Sequence, residues 1–157
     1  MNSSIDSIKN IATDTEDFIF LWKTLSEKEK RTLLFHMLEG GIVNKLQSIA
    51  LSGEDLIHSD ETGSNLLHHA AMSDNPEVIT CLLYLGCDID KKDNNGRTPL
   101  HIASSMGNIN SLKVILENKN KWRDKDKLGK TYLSVAKEGY KLKIAIHSLI
   151  ILVKKIF

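Results

Sequence analysis

Apolar residues return along this chain at helical intervals, and the helices they mark return in turn. Phe18, Leu21, Trp22 and Leu25 fall on one face of an amphipathic helix that Asp14 or Thr15 can cap, and burying that stripe closes one end of a core. Further along, Leu67, Leu100 and Leu133 are evenly spaced, and Ala70, Ala103 and Ala136 repeat the same interval. Val78, Ile79, Leu82 and Leu83 are followed at that interval by Ser111, Leu112, Ile115 and Leu116, so a second, longer apolar helix recurs behind the first. The final stretch carries an apolar run, Ile144 to Val153, interrupted by His147 and Ser148 and flanked by lysines. A bilayer span takes about 20 apolar residues, so this run is too short to cross one.

Polar punctuation keeps the same period. Asp60, Asp93 and Asp126 share it, and so do Gly63, Gly96 and Gly129. The sharpest copy runs from Asn94 to Ala103 and reads NNGRTPLHIA. Asn94, Asn95 and Gly96 tolerate positive φ and predict a tight turn. Thr98 is placed to cap the following helix by accepting a backbone N–H, and Pro99 suits the first helical position, where its missing donor is not needed. One period back from Gly86 and Asp88 lie Gly53 and Asp55, which extends the pattern to a degenerate unit without a turn signal. The predicted organisation is a lead-in and capping helix over 1–26, a degenerate repeat over 27–59, repeats over 60–92 and 93–125, and an atypical last repeat over 126–157. Each unit reads as turn, short helix, loop, longer helix and extended return. None can bury its apolar face alone, so the units must stack. The fold class is all-α: a solenoid of about four helix-turn-helix units with β-hairpin-like turns and irregular ends.

Composition adds exclusions. With 157 residues, 41% hydrophobic and 26% charged, the chain is the size and polarity of one soluble globular domain. A net charge of +1 gives no global attraction to nucleic acid or to an anionic membrane, and no direct nucleic-acid binding is expected. Cys81 and Cys87 make no disulfide framework and suit a reducing compartment. The N-terminal segment lacks the basic-then-apolar order of a secretory signal, so an intracellular protein is expected. No G-x-S-x-G, H-E-x-x-H or phosphate-binding glycine loop occurs; catalysis, cofactors and metals are not expected. Cys81, Cys87, His68 and His69 do not have the spacing of a zinc module.

A period of about 33 residues with T-P-L-H-x-A, carried by Thr98, Pro99, Leu100, His101 and Ala103 together with Gly86 and Asp88, resembles the ankyrin repeat. The match is sharpest from 60 to 118 and weakens after 126, where Tyr132 and Ser134 replace the proline and histidine and where Lys119 and Lys121 replace the preceding Gly and Asp. The resemblance implies that His68 and His101 are structural, bonding the backbone of the adjoining turn, and that Gly63, Gly96, Gly129, Thr98 and Pro99 belong to the frame. It places variable contact positions at Glu61, Thr62, Ser64, Met72 and Ser73, then Asn94, Asn95, Arg97, Ser105 and Met106, continuing through Lys125, Lys127, Leu128, Lys130 and Glu138. The tips grade from acidic (Glu54, Asp55, Asp60, Glu61) to basic (Lys119, Lys121, Arg123, Lys125, Lys127), a gradient that steers a charged protein partner. Met72 and Met106 offer adaptable apolar contact. Trp122 takes an apolar repeat position and reads as packing under its hairpin.

A lone ankyrin chain acts by covering a partner's surface. In size and organisation the chain resembles the short viral inhibitor-of-κB-like ankyrin proteins, the vankyrin type, which implies a blocker of Rel/NF-κB factors that suppresses host immune signalling in cytoplasm and nucleus. It has no D-S-G-x-x-S signal for destruction, so inhibition would be constitutive. The other readings are a general ankyrin adaptor or effector for another host protein, and an enzyme whose site no motif reveals. The surplus apolar residues of the last helix, Ile146, Ile150, Ile151, Val153, Ile156 and Phe157, point to packing back over the stack, to a homodimer, or to a membrane-surface contact.

Overall fold

The structure is a computed structural model that describes residues 15–53, 59–119, 122–136 and 139–156. Asp14, Glu54, Asp55, Lys121, Glu138 and Phe157, and the polar segment 1–13, lie outside them. The described residues form eight α-helices and no strand: α1 Thr15–Thr24, α2 Glu27–Gly40, α3 Val43–Leu51, α4 Leu66–Met72, α5 Pro76–Tyr84, α6 Pro99–Met106, α7 Ile109–Asn118 and α8 Lys141–Ile156. The extended returns therefore do not become strands among the described residues. The chain divides into two compact units, residues 1–56 and 57–157.

In the first unit, α1 and α2 each pack on α3. The stripe of α1 is buried at Phe18 and Trp22, while Leu21 and Leu25 are half-buried. Leu33, Met37, Leu38, Leu46 and Ile49 complete this core. Ser26 and Glu29 start α2 as a capping box: the Glu29 carboxylate accepts the Ser26 backbone N–H at 2.9 Å, and the Ser26 hydroxyl accepts the Glu29 N–H at 3.4 Å. This satisfies two donors that a helix start would otherwise orphan. Gly41, at φ 66°, ends the helix with its N–H on the Met37 carbonyl.

The second unit holds the period. Turns at 60–64, 93–97 and 126–130 are built alike: the first aspartate donates its backbone N–H to the carbonyl four residues on, at 2.9 Å in all three, and its carboxylate accepts the N–H groups two and four residues on at 2.8–3.0 Å. Short-chain carboxylates fold a turn in this way because they replace backbone acceptors. After each of the first two turns comes a short helix and then a longer one, with α4 beside α6, α5 beside α7, and each short helix on its own longer partner. Between the layers lie Leu67, Ala70, Val78, Ile79, Leu82, Leu100, Ala103, Leu112, Ile115 and Leu116, all at most 1% exposed.

The last repeat departs from the expectation. Residues 132–135 make turns where the period predicts a short helix. Proline and histidine, which start that helix at 99 and 101, are absent here, and Leu133, the counterpart of fully buried Leu67, is 38% exposed. Tyr132 is buried instead; its carbonyl accepts the Ser104 hydroxyl at 2.5 Å, and its phenol donates to Ser148 of α8 at 2.9 Å. Lys119, which replaces the repeat glycine, takes an extended backbone at φ −99°. Its side chain is fully buried, with its ammonium on Asp90 and, at 3.0 Å, on Asp124. Trp122 packs there, donating its indole N–H to the Lys119 carbonyl at 2.9 Å, with the Lys155 ammonium 5.7 Å from its ring.

Two of the turn glycines differ in what they must accommodate. Gly96 has φ 76°, and a Cβ there would stand 2.8 Å from the backbone nitrogen of Lys127, the atom that bonds the Asn95 carbonyl at 2.9 Å. Gly129 has φ 72° with nothing within 4 Å. Gly129→Ala should cost the positive-φ penalty alone, roughly 1–2 kcal/mol, whereas Gly96→Ala should cost about 1 kcal/mol more by displacing an inter-turn hydrogen bond. Urea melts of the two variants check this, and equal midpoints would refute it.

Candidate partner-binding surface

The turn row is assembled by backbone contacts from each turn to the next. The Thr62 carbonyl accepts the N–H of Asn94 at 2.8 Å, and the Asn95 carbonyl accepts the N–H of Lys127 at 2.9 Å. Buried histidines run beneath it. His68 donates from Nε2 to the Arg97 carbonyl at 2.9 Å, and His101 from Nε2 to the Lys130 carbonyl at 3.1 Å. A carbonyl can only accept, so Nε2 carries a proton in both rings; Nδ1 lies 3.2 and 3.3 Å from the backbone nitrogens of Asn65 and Thr98, and in His68 also 2.7 Å from the Asn65 Oδ1. The Thr98 hydroxyl lies 2.9 Å from the same His101 Nδ1, so its partner is the ring.

Several positions expected to contact a partner prove to be engaged internally. Ser64 is buried, its hydroxyl donating to that of Thr62 at 2.9 Å, which corrects its reading as a surface contact. Asn94 is exposed, yet its amide donates to the Glu61 carbonyl at 2.9 Å and staples neighbouring turns. Arg97 folds its guanidinium onto the buried Asp93 carboxylate at 2.7 Å. Ser73 and Ser105 donate their hydroxyls to carbonyls of their own helices, Ala70 at 3.1 Å and Ile102 at 2.9 Å. Thr62 is exposed at its tip although its hydroxyl donates to the Asp60 carboxylate at 2.6 Å; Glu61 and Asn95 are exposed at the tips, and Met72 and Met106 are each 46% exposed at the ends of α4 and α6.

The charge gradient changes as well. At its acidic end the Asp60 carboxylate is taken by Thr62, Ser64 and His69, leaving Glu61 as the exposed acid of that tip. At its basic end Lys119 is removed from the surface by burial, while Arg123, Lys125, Lys127 and Lys130 are all exposed. Lys92, not anticipated, joins them, 3.6 Å from Asp124 and 3.5 Å from the Lys125 carbonyl; its place directly before Asp93 was the available signal. Leu128, between Lys127 and Lys130 in sequence, is 78% exposed. The result is a basic edge with one apolar tip. Among the described residues no three His, Cys, Asp or Glu side chains could hold a metal ion, and no helix is long and apolar enough to cross a membrane.

A family model for ankyrin repeats (three copies) matches residues 34–126 and 67–147. Similar proteins include inversin of Gallus gallus, 34% identical over 88 residues, which is 56% of this chain and 8% of that protein. An ankyrin repeat protein of Fowlpox virus is 36% identical over 62 residues, 40% of this chain and 14% of its own length. NF-kappa-B inhibitor alpha of Gallus gallus is 42% identical over 52 residues, 33% of this chain and 16% of its own. The chain thus spans a small part of these relatives. Among solved structures, the ankyrin repeat domain of Bcl-3, described as a unique member of the IkappaB protein family, superposes with TM-score 0.63 at 21% identity, covering 73% of this chain and 50% of that one.

The frame beneath the surface sets an acid limit. Burial pushes the His68 and His101 rings below their ordinary value, outweighing the carbonyl bonds and carboxylates that oppose it. Below about pH 6.5 the unfolded chain therefore takes up protons that the folded chain refuses. Burial acts to raise Asp60, Asp93 and Asp124, but hydrogen bonds, with Lys119 and Arg97 among the donors, win and hold all three below the usual carboxylate range. Their stabilisation is present above about pH 3.9 and is lost as the pH falls through their folded values. The melting temperature at constant ionic strength should be level above pH 7, fall as the pH drops from about 6.5 toward 5, and fall again below about 4. A level profile between pH 7 and 5 would contradict the histidine geometry.

Proposed function

The chain belongs to the ankyrin-repeat family and is a protein-binding module, and from that premise we propose that it is an inhibitor-of-κB-like blocker of Rel/NF-κB factors. The observation that carries this reading is the similarity to NF-kappa-B inhibitor alpha, 42% identity over 52 residues, with the ankyrin domain of an IkappaB family member as a structural neighbour. The exposed edge supports it: Lys92, Arg123, Lys125, Lys127 and Lys130 are exposed cations, and Leu128 is an exposed apolar side chain between Lys127 and Lys130 in sequence, features that steer an acidic partner surface and offer it an apolar contact. The mechanism is steric. A rigid row of turns covers the partner, no bond is made or broken, and the module acts without catalysis. The viral setting draws support from the fowlpox relative; the host cytoplasm and nucleus are where such a blocker would meet its target, and host immune suppression would follow.

A second reading is an adaptor for another host protein. It is favoured by relatives of comparable identity that include inversin and protein phosphatase 1 regulatory subunit 12A, the latter at 33% over 84 residues.

Pull-down of Rel homology regions by the purified chain separates the two. Lys125→Glu, Lys127→Glu and Lys130→Glu combined should weaken capture by more than about tenfold, or about 1.4 kcal/mol, and leave stability within about 0.5 kcal/mol because the three side chains are exposed. Arg97 is omitted from the set because reversing it would set a second carboxylate against buried Asp93. Absence of Rel capture, with a different protein retained from host lysate, would replace the first reading by the second.

A further inference from the structure

The outward face of α8 is a seam built for a helix, and the geometry points to a second copy of this chain as its occupant. Ile144, Ser148 and Ile151 are buried and hold α8 on the stack. On the opposite face Leu142, Ile146, Leu149, Val153 and Ile156 follow one another at intervals of four, three, four and three residues, and they are 46–73% exposed. This is the heptad spacing that keeps a straight stripe along a helix. Over its first four core positions β-branched Ile146 and Val153 alternate with Leu142 and Leu149, the combination that favours a two-stranded pair, and Ile156 ends the stripe.

The positions beside the seam decide the partner. In heterotypic coils they are charged and select by charge. Here Ala145, Ile150 and Leu152 occupy them, all exposed, and a surface apolar both on the seam and at its flanks is matched by an identical surface. Lys141, Lys154 and Lys155 lie off the seam, and the Lys155 ammonium is tied to the Lys119 carbonyl at 2.7 Å; only Lys143 flanks it. Two copies therefore meet without opposed like charges along most of the contact. The exposed apolar side chains of α8 amount to something on the order of 600 Å² per chain, so a two-fold pair would bury about 1,200 Å² in total, the lower limit of a stable interface. The helix is already ordered by its buried face, so pairing does not have to offset the cost of nucleating it.

Sedimentation velocity over a dilution series tests this. The chain should run at twice its 17.6 kDa mass at high concentration and return to 17.6 kDa on dilution. Ile146→Glu combined with Val153→Glu should weaken association by about a hundredfold or more, since each copy would bury two carboxylates without partners. Its circular-dichroism melt should match the parent, because both positions are exposed in the single chain. If that pair lowers the melt, Leu149→Lys alone, at a position 61% exposed, reads out the same seam. A monomeric species at every concentration would overturn the proposal, as would a variant that pairs as well as the parent. Co-sedimentation of monomer with phosphatidylserine vesicles would overturn it in favour of a membrane contact.

Discussion

The bond from a buried imidazole to the carbonyl of the next turn is the constraint on which the repeat unit depends. His68 reaches Arg97 and His101 reaches Lys130, each across 29 residues. Each ring is fixed at its other nitrogen by the residue that starts its own helix. One side chain thereby joins a helix start to the turn of its neighbour and leaves no buried polar atom of its own unpaired. Where the histidine is missing, at Ser134, the short helix that it would have started is missing too.

The period is legible in the sequence because stacking demands the same apolar spacing in every unit, and Leu67, Leu100, Ala70 and Ala103 are fully or almost fully buried where the spacing places them. The limits are equally physical. Periodicity identifies a position but not what its atoms will be bonded to, which depends on a neighbour one full period away. So the periodicity does not show that Asn94 staples neighbouring turns through Glu61 or that Arg97 neutralises Asp93. Lys119 reads as an exposed cation because lysine seldom lies inside; only the convergence of Asp90 and Asp124 from separate repeats lets it do so. Leu133 keeps the register of a core leucine although the helix that would bury it is lost.

The surface that remains after these engagements is smaller and simpler than the motif suggests. It consists of a few tips, two methionine side chains at helix ends and a basic edge that includes Leu128. Frame and surface are also separable. The turns are folded by carboxylates that bond their own backbone, whereas Lys125, Lys127 and Lys130 are exposed, so these side chains can vary without altering the hydrogen bonds that build the turns.

The reach of the inter-repeat bonds also bears on how the second unit is made. Its linking hydrogen bonds, from Asn65 to Asp88 through Lys155 to Leu116, join residues 23 to 39 positions apart. None of these bonds reaches much beyond one period, and topologies of such short range fold quickly. As the polypeptide leaves a ribosome, the turn at 60–64 can close by itself, but the ring of His68 finds its acceptor only after Arg97 has emerged. Each repeat is thus locked by the one synthesised after it, and assembly proceeds as a ratchet with a step of one period.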